Sequence, residues 1–514
     1  ALMKNNNPFD LPCNLGDVGL AHEALFRYKG LVLDSIVEDR RVRSQIKDPN
    51  LLQDIKRLQN LKRLEASPMN QIEEGKDRAT YIKSLEDTVG GQLAKISAKY
   101  IQSRRAFTLK PAQVAERLGK GEVLLDYIRY DKYLDIDKTE PHYGVVLLAK
   151  GIKPRWITLG KAEEIEKLVS QYNPFGQASD EDYEEVLFKL YKKLIEPAVK
   201  KLPAGTDRMI ICPDGQLNFL NFGTLLNEED GFVCEDYLIR YVASERDLLQ
   251  EGKRGVPGKG LVVFANPAFG EEFAQADAPL VAMRAVEMND LRAGVNLVPL
   301  PGTQKEADFL KEKAGGWKLS GEFYVGSQAD EKQLSAVRSP RVLHLATHGF
   351  FLPESRGQKG LVKNPMHRSG LALAGAQKTL EMWGKGKAPP ASNDGILTAA
   401  EVGMLDLKGT WLVVLSACET GRGEARSGEG VMGLRRGFIQ AGTQNLLMTL
   451  WPVSDKQTIP FMKEFYEKAI AGGDAPTALA KTQTERLVKL RDIVGTKLAV
   501  QLYGPFIMSF QGAE

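Results

Sequence analysis

Short apolar runs of strand length recur along this chain from residue 123 onward, and helical sequences separate them. The clearest runs are VLLDYIRY (123–130), YGVVLLA (143–149), RMIICP (208–213), LVVFANPAF (261–269), RVLHLA (341–346), WLVVLSA (411–417) and QNLLMTLW (444–451). Apolar residues at consecutive positions are typical of strands covered on both faces, as in parallel sheets. The alternation of such strands with helices predicts an α/β fold with mostly parallel central sheets.

The beginning of the chain has a different pattern. Residues 1–110 are rich in charge and carry apolar residues at helical spacing, such as Leu25 and Ile36. This spacing predicts a helical N-terminal module of two or three antiparallel helices. Because the sequence opens with Ala1 and not with methionine, we expect it to be a piece of a longer protein.

A second change of pattern divides the α/β part. A stretch rich in glycine, proline and lysine at 251–260 lies between two series of strands and helices. We therefore expect two α/β units, at 111–255 and 256–514. Another stretch of this composition, from His348 to Asp394, contains only one apolar run, LALAGA, and is predicted to be a long irregular segment with a function or with mobility.

Composition and charge exclude several classes of protein. The 514 residues include 69 Lys and Arg against 66 Asp and Glu, so a formal charge of +3 does not indicate a nucleic-acid-binding surface. The sequence contains no apolar run of bilayer length and no secretion signal. The four cysteines, Cys13, Cys212, Cys234 and Cys418, form no CxxC pair. We expect a cytoplasmic protein without metal or organic cofactor.

Two of the predicted strands end in side chains that carry chemistry. RVLHLATHGFF places His348 and Gly349 directly after one strand, and WLVVLSACETGRGE places Cys418 at the same position after another. Active residues of open parallel sheets gather beyond the carboxyl ends of the strands. If these two strands are neighbours, the imidazole and the thiol face one crevice.

A thiol and an imidazole in one crevice are the parts of a nucleophilic peptidase. The ordinary pKa of a thiol, about 8.5, leaves little thiolate at neutral pH, so a base beside it is needed. His348 can take the thiol proton and later deliver it to the leaving amine. The backbone N–H groups of Gly349 and Cys418 are the expected oxyanion donors. The pattern predicts a cysteine endopeptidase with Cys418 as nucleophile and His348 as acid and base.

Several segments of the chain resemble the CHAT domain family, which is related to caspases and separases. The resemblance is carried by HLATHG (344–349), SACETGRGE (416–424), GEGVMGLRRGFIQAGTQNLLMTLWPVSD (428–455), PDGQLNFLNFGTLL (213–226) and PLPGTQKEADFL (299–310). It implies that His348 and Cys418 form the catalytic dyad. It also implies two caspase-like units, the first of them non-catalytic, and a helical front that links tetratricopeptide repeats to the CHAT domain.

The resemblance has further implications for substrate and partners. Similarity to bacterial repeat-CHAT proteins implies regulated cleavage of a protein or peptide substrate and a role in antiviral defence. A protein activator is expected to dock on the helical module. Similarity to a separase segment implies that Asp455 selects a basic residue before the cut bond. Ser416, two residues before Cys418, is expected to line the same pocket. The alternative for Asp455 is that it caps a helix that begins near Lys456.

Other interpretations of these motifs remain open. Cys418 could be a small core residue of a catalytically idle scaffold that only binds protein partners. The glycines of GEGVMG (428–433) match GxGxxG, which is found in dinucleotide-binding proteins. This alternative is less favoured than the peptidase, because the segment after Cys418 separates these glycines from the preceding strand. His344 is expected to be a hydrogen-bonded residue of the core. Glu419, Glu424 and Glu429 are expected to be solvated and not metal ligands.

Overall fold

The structure is a computed structural model of the chain. It describes residues 7–31, 84, 87–88, 108–135, 138–249, 257–270, 297–351, 365–384, 393–417, 421, 423–428, 430–453 and 455–512. Most of the helical module predicted for 1–110 lies outside these residues, including Ile36. Leu25 lies within them and is buried, as its helical spacing predicts.

The strands of the described residues are numbered in chain order. They are β1 (Glu122–Asp135), β2 (Lys138–Ala149), β3 (Ile152–Lys161), β4 (Arg208–Cys212), β5 (Leu238–Tyr241), β6 (Leu261–Pro267), β7 (Gly321–Gly326), β8 (Val342–Ala346), β9 (Gly349–Phe351), β10 (Ser369–Ala372), β11 (Ile396–Thr398), β12 (Leu412–Ser416), β13 (Glu424–Arg426), β14 (Gly430–Met432), β15 (Asn445–Thr449) and β16 (Phe506–Phe510).

Helices lie between most of these strands. They are α1 (Asp10–Leu15), α2 (Val18–Tyr28), α3 (Ala112–Arg117), α4 (Ala162–Gln171), α5 (Asp180–Leu194), α6 (Glu196–Val199), α7 (Val233–Asp236), α8 (Pro301–Ala314), α9 (Glu331–Ala336), α10 (Ala376–Gly384), α11 (Ala399–Val402), α12 (Leu434–Ala441), α13 (Asp455–Gly472), α14 (Ala475–Val494) and α15 (Thr496–Tyr503). None of the helices in the described ranges has both the length and the apolar content needed to cross a lipid bilayer.

One large sheet runs through both predicted α/β units. Its spatial order is β3-β2-β1-β4-β5-β16-β15-β12-β8-β6-β7. Neighbouring strands are parallel except where β2 pairs with β1 and β3 and where β16 pairs with β15. The predicted α/β class with a mostly parallel sheet is therefore confirmed. The C-terminal strand β16 joins the two series edge to edge, because it also pairs with β5 through Ser509 and Tyr241.

The middle of the sheet forms the core that the apolar runs predict. Every residue of β8, β12 and β15 is buried. Helices α8 and α13 pack against each other, and α8 also packs on β6. The division of the α/β part near 251–260 stays a prediction, since residues 250–256 lie outside the described residues.

The segment between His348 and Asp394 is more regular than its composition predicts. Strand β10 pairs with β9 and β11 to form a small antiparallel sheet, and α10 follows it. The prediction of an irregular segment broken only by LALAGA is wrong for residues 365–384. The prediction failed because it counted glycines as loop signals. Gly370 instead packs in the small sheet, where an added Cβ would lie 2.5 Å from the Leu397 carbonyl oxygen. Residues 352–364 and 385–392 lie outside the described residues.

The described part of the helical front packs directly on the first α/β unit. Phe9 and Leu25 share a buried apolar cluster with Leu124 of β1. The Lys29 ammonium group is buried where it donates to the carboxylate of Asp126 and to the carbonyl of Cys212, the latter at 2.9 Å. A buried cation needs such partners because leaving water is costly for a charge. The end of α2 is thus part of the α/β core.

Replacing Lys29 by methionine is expected to destabilise the protein by about 3–5 kcal/mol, because it leaves the Asp126 carboxylate buried without its cation. Urea denaturation followed by circular dichroism measures the loss. Lys189→Met is the matched control, since Lys189 forms an exposed pair with Glu185 and should cost less than about 1 kcal/mol. Equal stability of the two variants would contradict the assigned role of Lys29.

Candidate active site

The two strands that lead to the predicted dyad are neighbours. Strands β8 and β12 pair in parallel, with Ala346 opposite Ser416 at their carboxyl ends. The adjacency on which the site prediction depended is therefore confirmed. His348 follows Ala346 by two residues, and Cys418 follows Ser416 by two residues. Cys418 itself lies outside the described residues.

A backbone carbonyl orients the His348 ring. Its Nε2 atom lies 2.7 Å from the carbonyl oxygen of Val298, in the segment that leads into α8. A carbonyl can only accept, so Nε2 carries the proton and Nδ1 is the acceptor atom of the neutral ring. The ring of Phe269 lies 5.2 Å away between centroids. This tautomer is the one that a base acting through Nδ1 requires.

The surroundings of His348 favour its neutral form. The side chain is 5% exposed. Burial lowers the pKa of His348 below its ordinary value, and the hydrogen bond to Val298 offsets part of that effect. A neutral imidazole at neutral pH can accept a proton from a thiol.

The N–H of Gly349 points away from the neighbouring strand β10. The Ala372 N–H donates to the His348 carbonyl at 2.9 Å. Gly349 and Leu371 are register partners. In an antiparallel ladder, a bond at the positions next to such a pair means that the two residues do not hydrogen-bond to each other. The oxyanion role predicted for Gly349 requires a backbone donor outside the strand ladder, and this geometry is compatible with it. The second predicted donor, the Cys418 N–H, lies outside the described residues.

A buried polar network lies beneath the strand ends. Ser416 donates through Oγ to Glu306 of α8 at 3.1 Å, and the other Glu306 oxygen lies 3.1 Å from His344 Nε2. His344 Nδ1 lies 2.9 Å from the hydroxyl of Tyr466. The prediction that His344 is a hydrogen-bonded core residue is confirmed. Glu306 thereby connects β8 and β12.

Two predicted substrate-binding residues have defined positions in the chain. Ser416 is buried, and its hydroxyl is bonded to Glu306. Asp455 is the first residue of α13, separated from the end of β15 by five residues, and its side chain lies outside the described residues. A position at a helix start agrees with the alternative that Asp455 serves the helix N-terminus. The pocket roles of both residues stay predictions.

The GxGxxG segment does not have the geometry of a dinucleotide fingerprint. Gly430 begins β14, which forms a two-stranded hairpin with β13, and α12 follows the hairpin. A fingerprint requires its glycines in the turn between a sheet strand and a helix. Among the described residues, no three His, Cys, Asp or Glu side chains come together in a way that could hold a metal ion.

The sequence interpretation missed two groups near the site. The Val298 carbonyl belongs to the backbone, so no residue type could signal it. Glu306 lies in PLPGTQKEADFL, which was quoted only for its family resemblance. The available signal was the spacing of Glu306 to Phe309 and Leu310, which puts its carboxylate on the apolar side of a helix, where a buried charge needs a partner.

Comparison with known proteins decides the family. Residues 184–493 match the family model described as "CHAT domain". The chain belongs to the CHAT domain family. The resemblance predicted from HLATHG and SACETGRGE is therefore confirmed for this CHAT protein.

Relatives of the CHAT protein are much longer chains. Tetratricopeptide repeat protein 28 of Homo sapiens is 28% identical over 310 residues, which cover 57% of this chain and 12% of the relative. Its Mus musculus counterpart is 28% identical over 195 residues, which cover 36% and 8%. This chain therefore spans about a tenth of the length of these relatives.

The solved structures similar to the CHAT protein include a crystal structure of the Saccharomyces cerevisiae separase-securin complex. Its sequence identity is 11% and its TM-score is 0.33, over 90% of this chain and 28% of that chain.

Proposed function

We propose that this CHAT protein is a caspase-like cysteine endopeptidase that cleaves a protein or peptide substrate through Cys418 and His348. The observation that carries the proposal is the orientation of His348. Its Nε2 is engaged by the Val298 carbonyl, and it follows a strand whose parallel neighbour leads to Cys418. Acyl transfer to a thiol needs a base close to the thiol and in the correct tautomer. His348 has this tautomer, and it lies beside the end of the strand that precedes Cys418.

The proposed reaction begins with transfer of the Cys418 thiol proton to His348 Nδ1. The thiolate attacks the carbonyl carbon of the substrate peptide bond, and the backbone N–H groups of Gly349 and Cys418 stabilise the oxyanion. The tetrahedral intermediate then expels the amine, which takes its proton from the imidazolium. Water, deprotonated by His348, hydrolyses the thioester and releases Cys418.

Cys418→Ala and His348→Ala are each expected to abolish cleavage, and the double variant should be no worse than either single one because the two residues act as a unit. Mapping of new protein termini in a proteome incubated with each variant measures this and identifies the substrate. Cys234→Ala is the matched control, since it removes a thiol from α7 without touching the dyad.

Near-normal cleavage by either dyad variant would overturn the assignment. Absence of Cys418-dependent cleavage by the wild type, with or without a protein activator, would favour the catalytically idle scaffold. We propose that such an activator docks on the helical module and that the protein acts in regulated cytoplasmic proteolysis, including bacterial antiviral defence.

The acid side of the pH profile of kcat/KM is expected to have its midpoint below about 6.5, the ordinary pKa of histidine. Burial lowers the pKa of His348, so the base stays unprotonated to lower pH than a solvated histidine. Phe269→Ala should move the midpoint upward by admitting water to the ring, whereas Phe175→Ala at an exposed site should not. A wild-type midpoint at or above 6.5 would contradict this account.

We propose that cleavage follows a basic residue and that the Asp455 carboxylate selects it. A desolvated carboxylate and guanidinium contribute about 1.5–3 kcal/mol, enough for a preference of about tenfold to a hundredfold. Peptides with Arg, Lys, Asp or Met before the cut bond test this on the wild type and on Asp455→Asn. Asparagine keeps the size and one acceptor oxygen of aspartate, so the variant removes the charge with little other change. An unchanged preference would leave Asp455 with the helix role.

A further inference from the structure

Asp214 belongs to the PDG motif of the first α/β unit, and the reaction proposed above gives it no role. It follows β4 and is fully buried. Its carboxylate accepts three hydrogen bonds, from the N–H of Arg129 at 3.0 Å, the hydroxyl of Ser427 at 2.9 Å and the N–H of Gly428 at 2.8 Å. Two of the three donors come from the second unit, and both lie in the segment that follows Cys418 in the chain.

Ser427 and Gly428 form the turn between β13 and β14. The Ser427 hydroxyl also lies 2.8 Å from the Arg129 carbonyl of β1, so its single hydrogen is shared between that carbonyl and the Asp214 carboxylate. These polar contacts join the turn to the first unit.

The helical front touches the same turn from another side. Gly428 accepts a hydrogen bond at its carbonyl from the N–H of Gly30, at 2.7 Å. It has a φ of +72°, and a Cβ added there would lie 2.5 Å from the ring of Phe9. Glycine is needed for both reasons, since other residues disfavour this φ and the ring leaves no room.

The charge of Asp214 suits this position. Burial raises the pKa of its carboxyl, while the Lys29 ammonium and the three donors oppose that rise. Lys29 itself is held by Asp126 and precedes Gly30 in the chain. The end of α2 thus supplies both a cation near Asp214 and a backbone donor to the turn.

Ten residues separate Ser416, the end of β12, from Ser427, and Cys418 is among them. Strand pairing fixes one end of this segment, the Gly421 N–H donates to the Thr449 carbonyl of β15 at 2.8 Å within it, and the contacts of Asp214 fix the other end. Fixing both ends of a short segment reduces the number of conformations that it can adopt. We propose that Asp214 is a positioning residue for the nucleophile, through which the first unit and the helical front hold the segment that carries Cys418. This proposal rests on the proposed function of Cys418.

Asp214→Asn in the full chain tests the proposal, because an amide group cannot accept at both positions. Two quantities are measured on the wild type and the variant, at a temperature below the melting temperature of both. One is the rate constant for alkylation of Cys418 by iodoacetamide, read by mass spectrometry of its peptide. The other is kcat and KM for the cleaved substrate. We expect kcat to fall by about tenfold to a hundredfold with KM within about twofold, and the alkylation rate to change by at least about threefold.

Asp180→Asn is the matched control. Asp180 also accepts from two backbone N–H groups, those of Thr496 and Lys497, but it joins α5 to α15 away from the hairpin. A purely structural role predicts that both variants lower the melting temperature and leave kcat unchanged. Wild-type alkylation and wild-type kcat in Asp214→Asn would overturn the proposal.

A gentler pair of variants keeps the test decisive if Asp214→Asn fails to fold. Ser427→Ala removes one donor and should lower kcat by about twofold to tenfold, whereas Ser427→Thr restores the hydroxyl and the rate. Ser170→Ala, at an exposed hydroxyl, is its control. If the wild type cleaves nothing, the proposed function fails. The alkylation rates of Cys418 in the wild type and in Asp214→Asn then decide the positioning role by themselves.

Discussion

The parallel pairing of β8 with β12 is the constraint on which the rest of the site depends. Ala346 and Ser416 are register partners, so the chain leaves both strands at the same edge of the sheet. A shift of the pairing by one residue would turn every side chain of one strand to the other face. The contact of Ser416 with Glu306 and that of Glu306 with His344 depend on this register, because they join the two strands on one face.

Buried charge connects parts of the chain that are far apart in sequence. Lys29 reaches Asp126, and Asp214 reaches the β13–β14 turn. Each of these groups loses hydration on burial, so each is stable only where its partners are correctly placed. Such contacts favour a single arrangement of helical front, first unit and hairpin over others that would bury similar apolar area. The first unit therefore contacts the turn that follows Cys418 in the chain, although it holds no predicted dyad.

The sequence pattern predicted the central strands well because these are buried on both faces and read as continuous apolar runs. It predicted poorly the strand that joins the two series and the small satellite sheet. Strand β16 was not predicted, although its residues Phe506–Phe510 are all buried. Its partners β15 and β5 are distant in sequence, and a five-residue run has too little periodicity to reveal a pairing of that range. The small sheet of β9, β10 and β11 was obscured by glycine-rich neighbours.

By itself the sequence determined the fold class, the family and the residue types at two strand ends, since apolar periodicity and motif spacing are local properties of the chain. Only the tertiary structure decided which strands are neighbours, that β16 joins the two series into one sheet, and that Val298 orients His348. It also decided that Asp214 contacts the turn after Cys418. The contact of His348 with Val298 joins residues 50 positions apart, and those of Asp214 with Ser427 and Gly428 join residues 213 and 214 positions apart. Such partners are selected by shape and burial in three dimensions, which no local pattern records.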